Sequence, residues 1–261
     1  MKLIKESLTL DWDLLFKVEI SIGRKLELIL KKYFFLLLSF FGYIPRRGHF
    51  LGKSFSFTNK YGYISLERIY VDSDYLAKYI PPGLKILDIG AHIGEFAFFC
   101  KERLGASEVV CVEPFEESFN VLKQNNRDIN LNYAVSSNNL NEMYLSEIST
   151  QLNSLLPDAS RHQTRKVPIK SISLDTLLSR KLDKRKFDML KVDTEGSELD
   201  VFESGKESLL KFKYILVEVA IGSENLLGLI EIINKAGNYK LLTISDFRQG
   251  KRSVDMLFMA G

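Results

Sequence analysis

Paired cysteines are missing from this sequence. Of 261 residues only Cys100 and Cys111 are cysteine, and neither stands in a C-x-x-C arrangement. A disulfide framework or zinc knot is therefore not expected. Both thiols should be buried as small hydrophobes, and a reducing, cytoplasmic interior is the default setting. A concentration of charge of one sign is missing too. Lysine and arginine number 36 against 33 acids, the net charge is +3 and the pI about 8.6. A dedicated polyanion binder shows a clustered basic face and a domain pI above about 9, so no nucleic acid partner is expected. Long hydrophobic runs are also missing. The most apolar stretch, Tyr33 to Ile44, holds 12 uncharged residues, whereas a membrane-spanning helix needs about 20. Extended backwards it meets Lys32, Lys31, Glu27, Lys25 and Arg24. Near the start, Lys5, Glu6, Asp11 and Asp13 interrupt what would be the apolar region of a secretory signal. Aromatics and leucines that follow basic residues over 26–44 remain compatible with an interfacial helix and peripheral membrane contact. The alternatives are a helix packed on the main domain or on a second subunit, as in a homodimer.

What is present is an ordinary globular balance, with 46% apolar and 26% charged residues. The length suits one large domain, or one of roughly 150–200 residues with an extension. Residues 12–44 hold no proline and are rich in Leu, Ile, Lys and Glu, which predicts a helix. Residues 49–71 carry Phe55, Phe57, Tyr61, Tyr63, Ile64 and Ile69 and predict short strands or a hairpin; 72–80 predicts a short helix. Pro81-Pro82-Gly83 breaks the chain, which divides an N-terminal extension (1–80) from a main domain (84–261). From there strands and helices alternate. The main strands are expected at 85–89, 108–112, 132–135, 187–192, 214–219, 239–244 and 254–259, with an extra pair at 143–148 and 167–172. Helices are expected at 94–104, 116–127, 174–180, 197–212 with a break near Gly205, and 224–235. This pattern argues for a mostly parallel sheet covered on both faces. The connection between the last two strands holds nine residues, too few for a parallel crossover, so the last strand should run antiparallel.

Three clusters carry the chemistry, each at the carboxyl end of an expected strand, where ligands bind in open α/β sheets. The first is Leu87-Asp88-Ile89-Gly90-Ala91-His92-Ile93-Gly94. Its glycines admit a ligand to the backbone, and the helix it opens offers free N–H groups to a carboxylate or phosphate. The spacing D-x-G-x-x-x-G differs from the G-x-G-x-x-G of a nicotinamide turn, and His92 replaces the middle glycine. An acid two residues before the glycine suits the cationic methionine end of S-adenosylmethionine, directly or through water. His92 fits better as a hydrogen-bond donor there than as a base, which needs the substrate proton within about 3 Å. The second cluster is Cys111-Val112-Glu113-Pro114. Glu113 lies 23 residues after Gly90, where an acid accepts hydrogen bonds from both ribose hydroxyls of a nucleoside; the competing reading is a surface acid at the start of the helix near Glu116. The third is Leu190-Lys191-Val192-Asp193-Thr194-Glu195-Gly196-Ser197-Glu198. Asp193 there can orient or deprotonate a substrate hydroxyl, and Glu195 can do the same or cap the helix near Ser197. Two acids so close can hold a divalent cation, but nothing fixes a full ligand set and no metal is expected. His49 and His162 are expected to be plain surface residues.

The segments Asp-Ile-Gly-Ala-His-Ile-Gly-Glu, Val-Glu-Pro and Lys-Val-Asp-Thr-Glu-Gly-Ser-Glu, in this order and spacing, resemble the FkbM family of methyltransferases. The resemblance covers roughly residues 84–220, and the last segment is its most specific part. It extends to Ala134-Val135-Ser136, Ser173-Leu174-Asp175-Thr176-Leu177 and Val217-Glu218-Val219. It implies a Rossmann-like class I methyltransferase fold, S-adenosyl-L-methionine as cofactor, and O-methylation of a hydroxyl on a sugar, glycan or related small molecule. It places Asp88, Gly90 and Glu113, with the turn residues Ala91, His92, Gly94 and Pro114, at the cofactor, and Ser136 close to the adenine. Asp193 and Glu195 would face the reaction centre. His92 stands where many relatives carry Asn, and residues 1–80 are not covered. An Asn/Asp-Pro-Pro-Tyr-like tetrad, expected of nucleic-acid amino methyltransferases, is replaced by Asp-Thr-Glu-Gly, and no cysteine falls where a cytosine-carbon enzyme needs its nucleophile. The remaining alternatives are a nicotinamide-dependent oxidoreductase and a non-catalytic cofactor-binding scaffold whose N-terminal helix recruits a membrane or partner.

Overall fold

A computed structural model describes residues 2–43, 45–58, 62–146, 155, 163–220, 225–245 and 253–261. His162 and the basic turn at 248–252 lie outside them.

The chain opens with two helices, α1 (Lys2–Phe16) and α2 (Ile22–Phe40). The single helix expected over 12–44 is thus corrected to a pair. The break falls at 17–21, where Ser21 takes the N-cap place of α2 and the Glu19 N–H donates to the Asp74 carboxylate at 2.7 Å instead of to a helical carbonyl. A hairpin follows, β1 (Arg47–Phe50) and β2 (Lys53–Ser56), turning at Leu51-Gly52, both with positive φ. The rest of the stretch expected to be strand is a helix, α3 (Gly62–Ser73). Its Tyr63, Leu66, Glu67 and Tyr70 are buried at spacings of three and four, so the helical period outweighs the aromatic and β-branched composition. A 3-10 turn at Asp74–Lys78 leads to the proline break.

The main sheet is built from β3 (Lys85–Ile89), β4 (Glu108–Val112), β5 (Asn130–Leu131), β10 (Met189–Val192), β11 (Tyr214–Ala220), β12 (Tyr239–Ile244) and β13 (Ser253–Ala260). Its order is β12-β13-β11-β10-β3-β4-β5. Pairs from β11 to β5 are parallel, and β13 is antiparallel to both neighbours, as expected from the short final connection. The third strand, expected at 132–135, is corrected: the strand that joins the sheet, β5, lies just before it, and 134–135 is β6 (Ala134–Val135), which pairs with β9 (Ser171–Ile172) outside the sheet. Beside them β7 (Glu142–Ser146) pairs antiparallel with β8 (Gln163–Pro168); the second strand of the expected extra pair, 167–172, is thus displaced towards the N-terminus, and its end at 171–172 is β9 instead.

Helices cover both faces, so the central strands are apolar on both sides. The pleat sends Ile86, Val109 and Cys111 to one face and Leu87, Val110 and Val112 to the other. The first face carries α4 (Glu95–Arg103) and, in the same core, Leu14 of α1, Leu28 and Phe35 of α2 and Leu66 and Tyr70 of α3. The second carries α6 (Leu174–Thr176), α7 (Glu198–Glu203) and α8 (Asn225–Ala236), through Leu174, Phe202 and Ile233 among others. Against β2, α5 (Glu116–Asn125) is anchored by Asn125, whose amide donates to the carbonyls of Ser56 and Ile93. Both cysteines are free and buried, as expected. Among the described residues no helix is long and apolar enough to cross a membrane.

Candidate active site

The carboxyl ends of β3, β4, β10 and β11 converge on a cleft of about 430 Å³. The turn after β3 is locked to both neighbouring strands. Gly90 and Ala91 donate their N–H groups to the Val112 carbonyl of β4, and Asp193 donates its own to Ile89. Gly90 has φ 81°, and a Cβ there would stand 1.8 Å from the Asp193 carbonyl oxygen, so only glycine fits between β3 and β10. His92 also has a positive φ, 49°, a left-handed conformation that Asn, Asp and His adopt more readily than other side chains. Gly94 stands at the N-cap of α4 with φ 91°.

Glu113 closes one side of this turn. One carboxylate oxygen accepts the His92 N–H and the other the Phe115 N–H, each at 2.9 Å, which leaves each oxygen a further lone pair. Burial pushes its carboxyl up to about 7, against the opposing pull of His92 and the two N–H groups. The following loop is held by Asn132, whose amide donates to the Glu113 and Pro114 carbonyls. The His92 ring nitrogen Nδ1 lies 3.1 Å from the Glu95 carboxylate. Burial alone would lower the imidazole pKa, but that carboxylate outweighs it and holds the ring above its usual value.

The opposite wall is acidic. Lys191 of β10 bridges Asp88, at 3.2 Å, and Asp193, at 3.1 Å. Burial would lower this ammonium, but Asp193 and Asp88 together hold it well above its usual range, so it stays charged. Glu195 is a left-handed residue, φ 56°, in a loop gathered by Glu198, whose Oε1 accepts the N–H groups of Thr194 and Gly196. Glu218 of β11 receives the Ser253 hydroxyl and stands directly across the strand pair from Asp255. Burial first, then the nearby Asp193 and Asp255 charges, push its carboxyl well above the ordinary range. The remaining side is closed by α3 through Ser65, Arg68 and Asp72.

The cleft thus gathers Gly90, Ala91, His92, Glu113, Pro114, Asp193 and Glu195 from the sequence-derived set. Asp88, Gly94 and Ser136 do not line it. Asp88 is completely buried behind Lys191, and burial pushes its carboxyl up against the pull of that lysine. Ser136 is buried 2.5 Å from Asp200 of α7, while its neighbours Tyr133, Ala134 and Val135 reach the cleft. Lys191, Glu218, Asp255 and the α3 side chains carried no assigned role from sequence. Lys191 and Glu218 stood in quoted motifs; α3 gave no signal, because its helical period was hidden by its composition.

The model of the methyltransferase FkbM domain matches residues 88–240, more than half of the chain. A comparison with curated proteins finds no match. Among solved structures, the chain is similar to a methyltransferase FkbM from Methylobacillus flagellatus KT at 17% identity and TM-score 0.47, covering 77% of this chain and 54% of that one. It is similar to a putative tRNA (m1A22) methyltransferase of Streptococcus pneumoniae at 12% identity and TM-score 0.43, covering 72% and 68%. A third, TrmK of M. capricolum in complex with S-adenosylhomocysteine, is 11% identical with TM-score 0.43, covering 71% and 66%. The chain therefore spans about half to two thirds of the length of these proteins, and the likenesses carry nothing about substrate. With the family model matching across all three sequence clusters, the chain belongs to the FkbM family of S-adenosylmethionine-dependent methyltransferases.

Proposed function

We propose that this protein transfers a methyl group from S-adenosylmethionine to a hydroxyl oxygen of a sugar, glycan or related small metabolite. The observation that carries this reading is the division of the cleft, with Glu113 on one side and Asp193, Glu195, Glu218 and Asp255 on the other. The residues fit the cofactor. Glu113 has two free lone pairs for the ribose hydroxyls, and Tyr133 and Val135 give an apolar wall for the base. His92, whose ring the Glu95 carboxylate holds above its usual pKa, suits the methionine carboxylate. Asp88 acts behind Lys191, fixing its ammonium rather than meeting a ligand. Bound there, the cofactor supplies an electrophilic methyl group on a sulfonium.

The chain's own work is then to align a nucleophile and remove its proton. Asp193, held by Lys191, accepts the hydrogen of the attacking hydroxyl, with Glu195 orienting it. Glu218 lines the same wall, its carboxyl raised first by burial and then by the Asp193 and Asp255 charges. Hydroxyl-rich acceptors suit a wall of carboxylate acceptors; a polyphosphate backbone would be repelled by it, which disfavours a nucleic acid.

Calorimetric titration with S-adenosylhomocysteine, and separately with NAD, tests the reading. Binding of the former with no response to the latter is expected. Binding of NAD alone would return the glycine turn to a dinucleotide, and silence from both would sink the cofactor assignment. Screening free sugars and glycans against labelled cofactor then identifies the acceptor.

A further inference from the structure

The helices α1 and α2 turn large apolar side chains outward. On α1, Leu10 and Leu14 face the core, and Leu8, Trp12 and Phe16, two positions away and thus on the opposite face, are 57%, 62% and 67% exposed. On α2, Leu28 and Lys32 point inward, and the offset row Leu26, Leu30 and Phe34 is exposed, continued by Leu37 and Phe41. The inward positions are fixed: the fully buried Lys32 ammonium is bound by Asp11 of α1 at 2.5 Å and Glu67 of α3 at 2.7 Å, so the helix pair is held in this orientation. A protein surface rarely exposes two such apolar rows without a use for them.

Charge decides what covers them. Among the described acids of the segment, Asp11 and Asp13 are buried, Glu27, the only acid on α2, is bound to Lys31, and Glu19 is exposed with Lys78 at 3.5 Å. Arg24 near the start of α2, and Arg46 and Arg47 in the segment that follows it, are exposed. Residues 1–50 contain nine basic and five acidic side chains, a net +4 against +3 for the whole chain. Two copies meeting through this face about a two-fold axis would bring the same basic flanks together. An anionic lipid surface instead meets both features, leucines and aromatics entering the acyl boundary and arginines reaching the headgroups. We infer that α1 and α2 form an interfacial foot that docks the protein on an anionic membrane surface, lying along it and not crossing it. The inference stands whether or not the methyl acceptor is a sugar.

Trp12 is the single tryptophan of the chain and is exposed on the outward row of α1, so it reports directly. The full chain is mixed with vesicles of phosphatidylcholine alone and of phosphatidylcholine with about a third phosphatidylglycerol. The expected result is co-sedimentation and a blue shift of Trp12 emission with the anionic vesicles, weakened by salt. The double variant Leu30→Glu/Phe34→Glu, and its milder form Leu30→Ser/Phe34→Ser, should lower the vesicle partition coefficient at least about tenfold. Both should leave S-adenosylhomocysteine affinity and melting temperature unchanged. No Trp12 shift, or equal partition of the variants, overturns the inference. So does a wild-type dimer that these variants make monomeric without vesicle binding, which would assign the face to a second copy.

Discussion

At the scale of single residues, Glu113 and Asp193 divide the work, and their variants should separate. Glu113→Ala removes two charge-assisted acceptors, each worth about 1.5–3 kcal/mol. The dissociation constant for S-adenosylhomocysteine should rise by roughly tenfold or more by calorimetry; an unaltered constant would refute the ribose assignment. Asp193→Asn keeps the shape and removes the base. Turnover should fall by about 10²–10⁴, with cofactor affinity preserved; unchanged turnover would sink its catalytic role. Gly90→Ala places a methyl group against the Asp193 carbonyl in a left-handed conformation, so the β3 turn or the β10 end must move. We expect a loss of about 2–5 kcal/mol in urea unfolding, from left-handed strain plus overpacking. A near-neutral effect would mean that the two strand ends slip apart easily.

At the scale of elements, the alternation after residue 84 was legible because buried parallel strands are short apolar runs and the turns carry glycine or proline. The helix pair and α3 were less so. The break within 12–44 had only a weak local signal, Ser21 at the N-cap with Gly23 behind it; what holds it is the Glu19 N–H on Asp74, 55 residues away. In α3, Tyr63, Ile64, Ile69, Tyr70 and Val71 mimic a strand, and the helical period appears only when Leu66 and Glu67 are counted as inward. A buried glutamate is an unusual inward residue, and its explanation, Lys32, lies on another helix. That triad is also a stability prediction. Lys32→Met leaves Asp11 and Glu67 without their cation and should cost about 3–5 kcal/mol, whereas replacing all three by apolar residues of similar volume should restore most of it. Chemical denaturation of both variants checks this, and a mild single variant would show that water reaches the site. The candidate site was legible where it lies on glycine turns and strand ends. Lys191 and Glu218 gained roles only once neighbouring strands set them beside Asp88, Asp193 and Asp255, a matter of register that no local pattern reveals.

At the scale of the whole molecule, buried acids set the response to pH. Burial raises Glu67 and Glu113 from 4.5 to about 7. Between those values the folded chain holds protons that the unfolded chain has released, so stability falls as pH rises through this window. His92, raised above 6.5 by Glu95, adds a loss in the same direction at higher pH. The ligand-free protein should therefore melt at a higher temperature at pH 5 than at pH 8, and Glu67→Gln with Glu113→Gln should flatten the slope. A melting temperature that climbs steadily from pH 5 to pH 8 would contradict this. The helix α3 has one face locked to the N-terminal pair through Glu67 and another on the cleft through Ser65, Arg68 and Asp72. To whatever extent docking on a surface shifts α3, it shifts the wall met by the acceptor. Linkage makes that traffic reciprocal: the factor by which a membrane tightens acceptor binding is the factor by which the acceptor tightens the hold on the membrane.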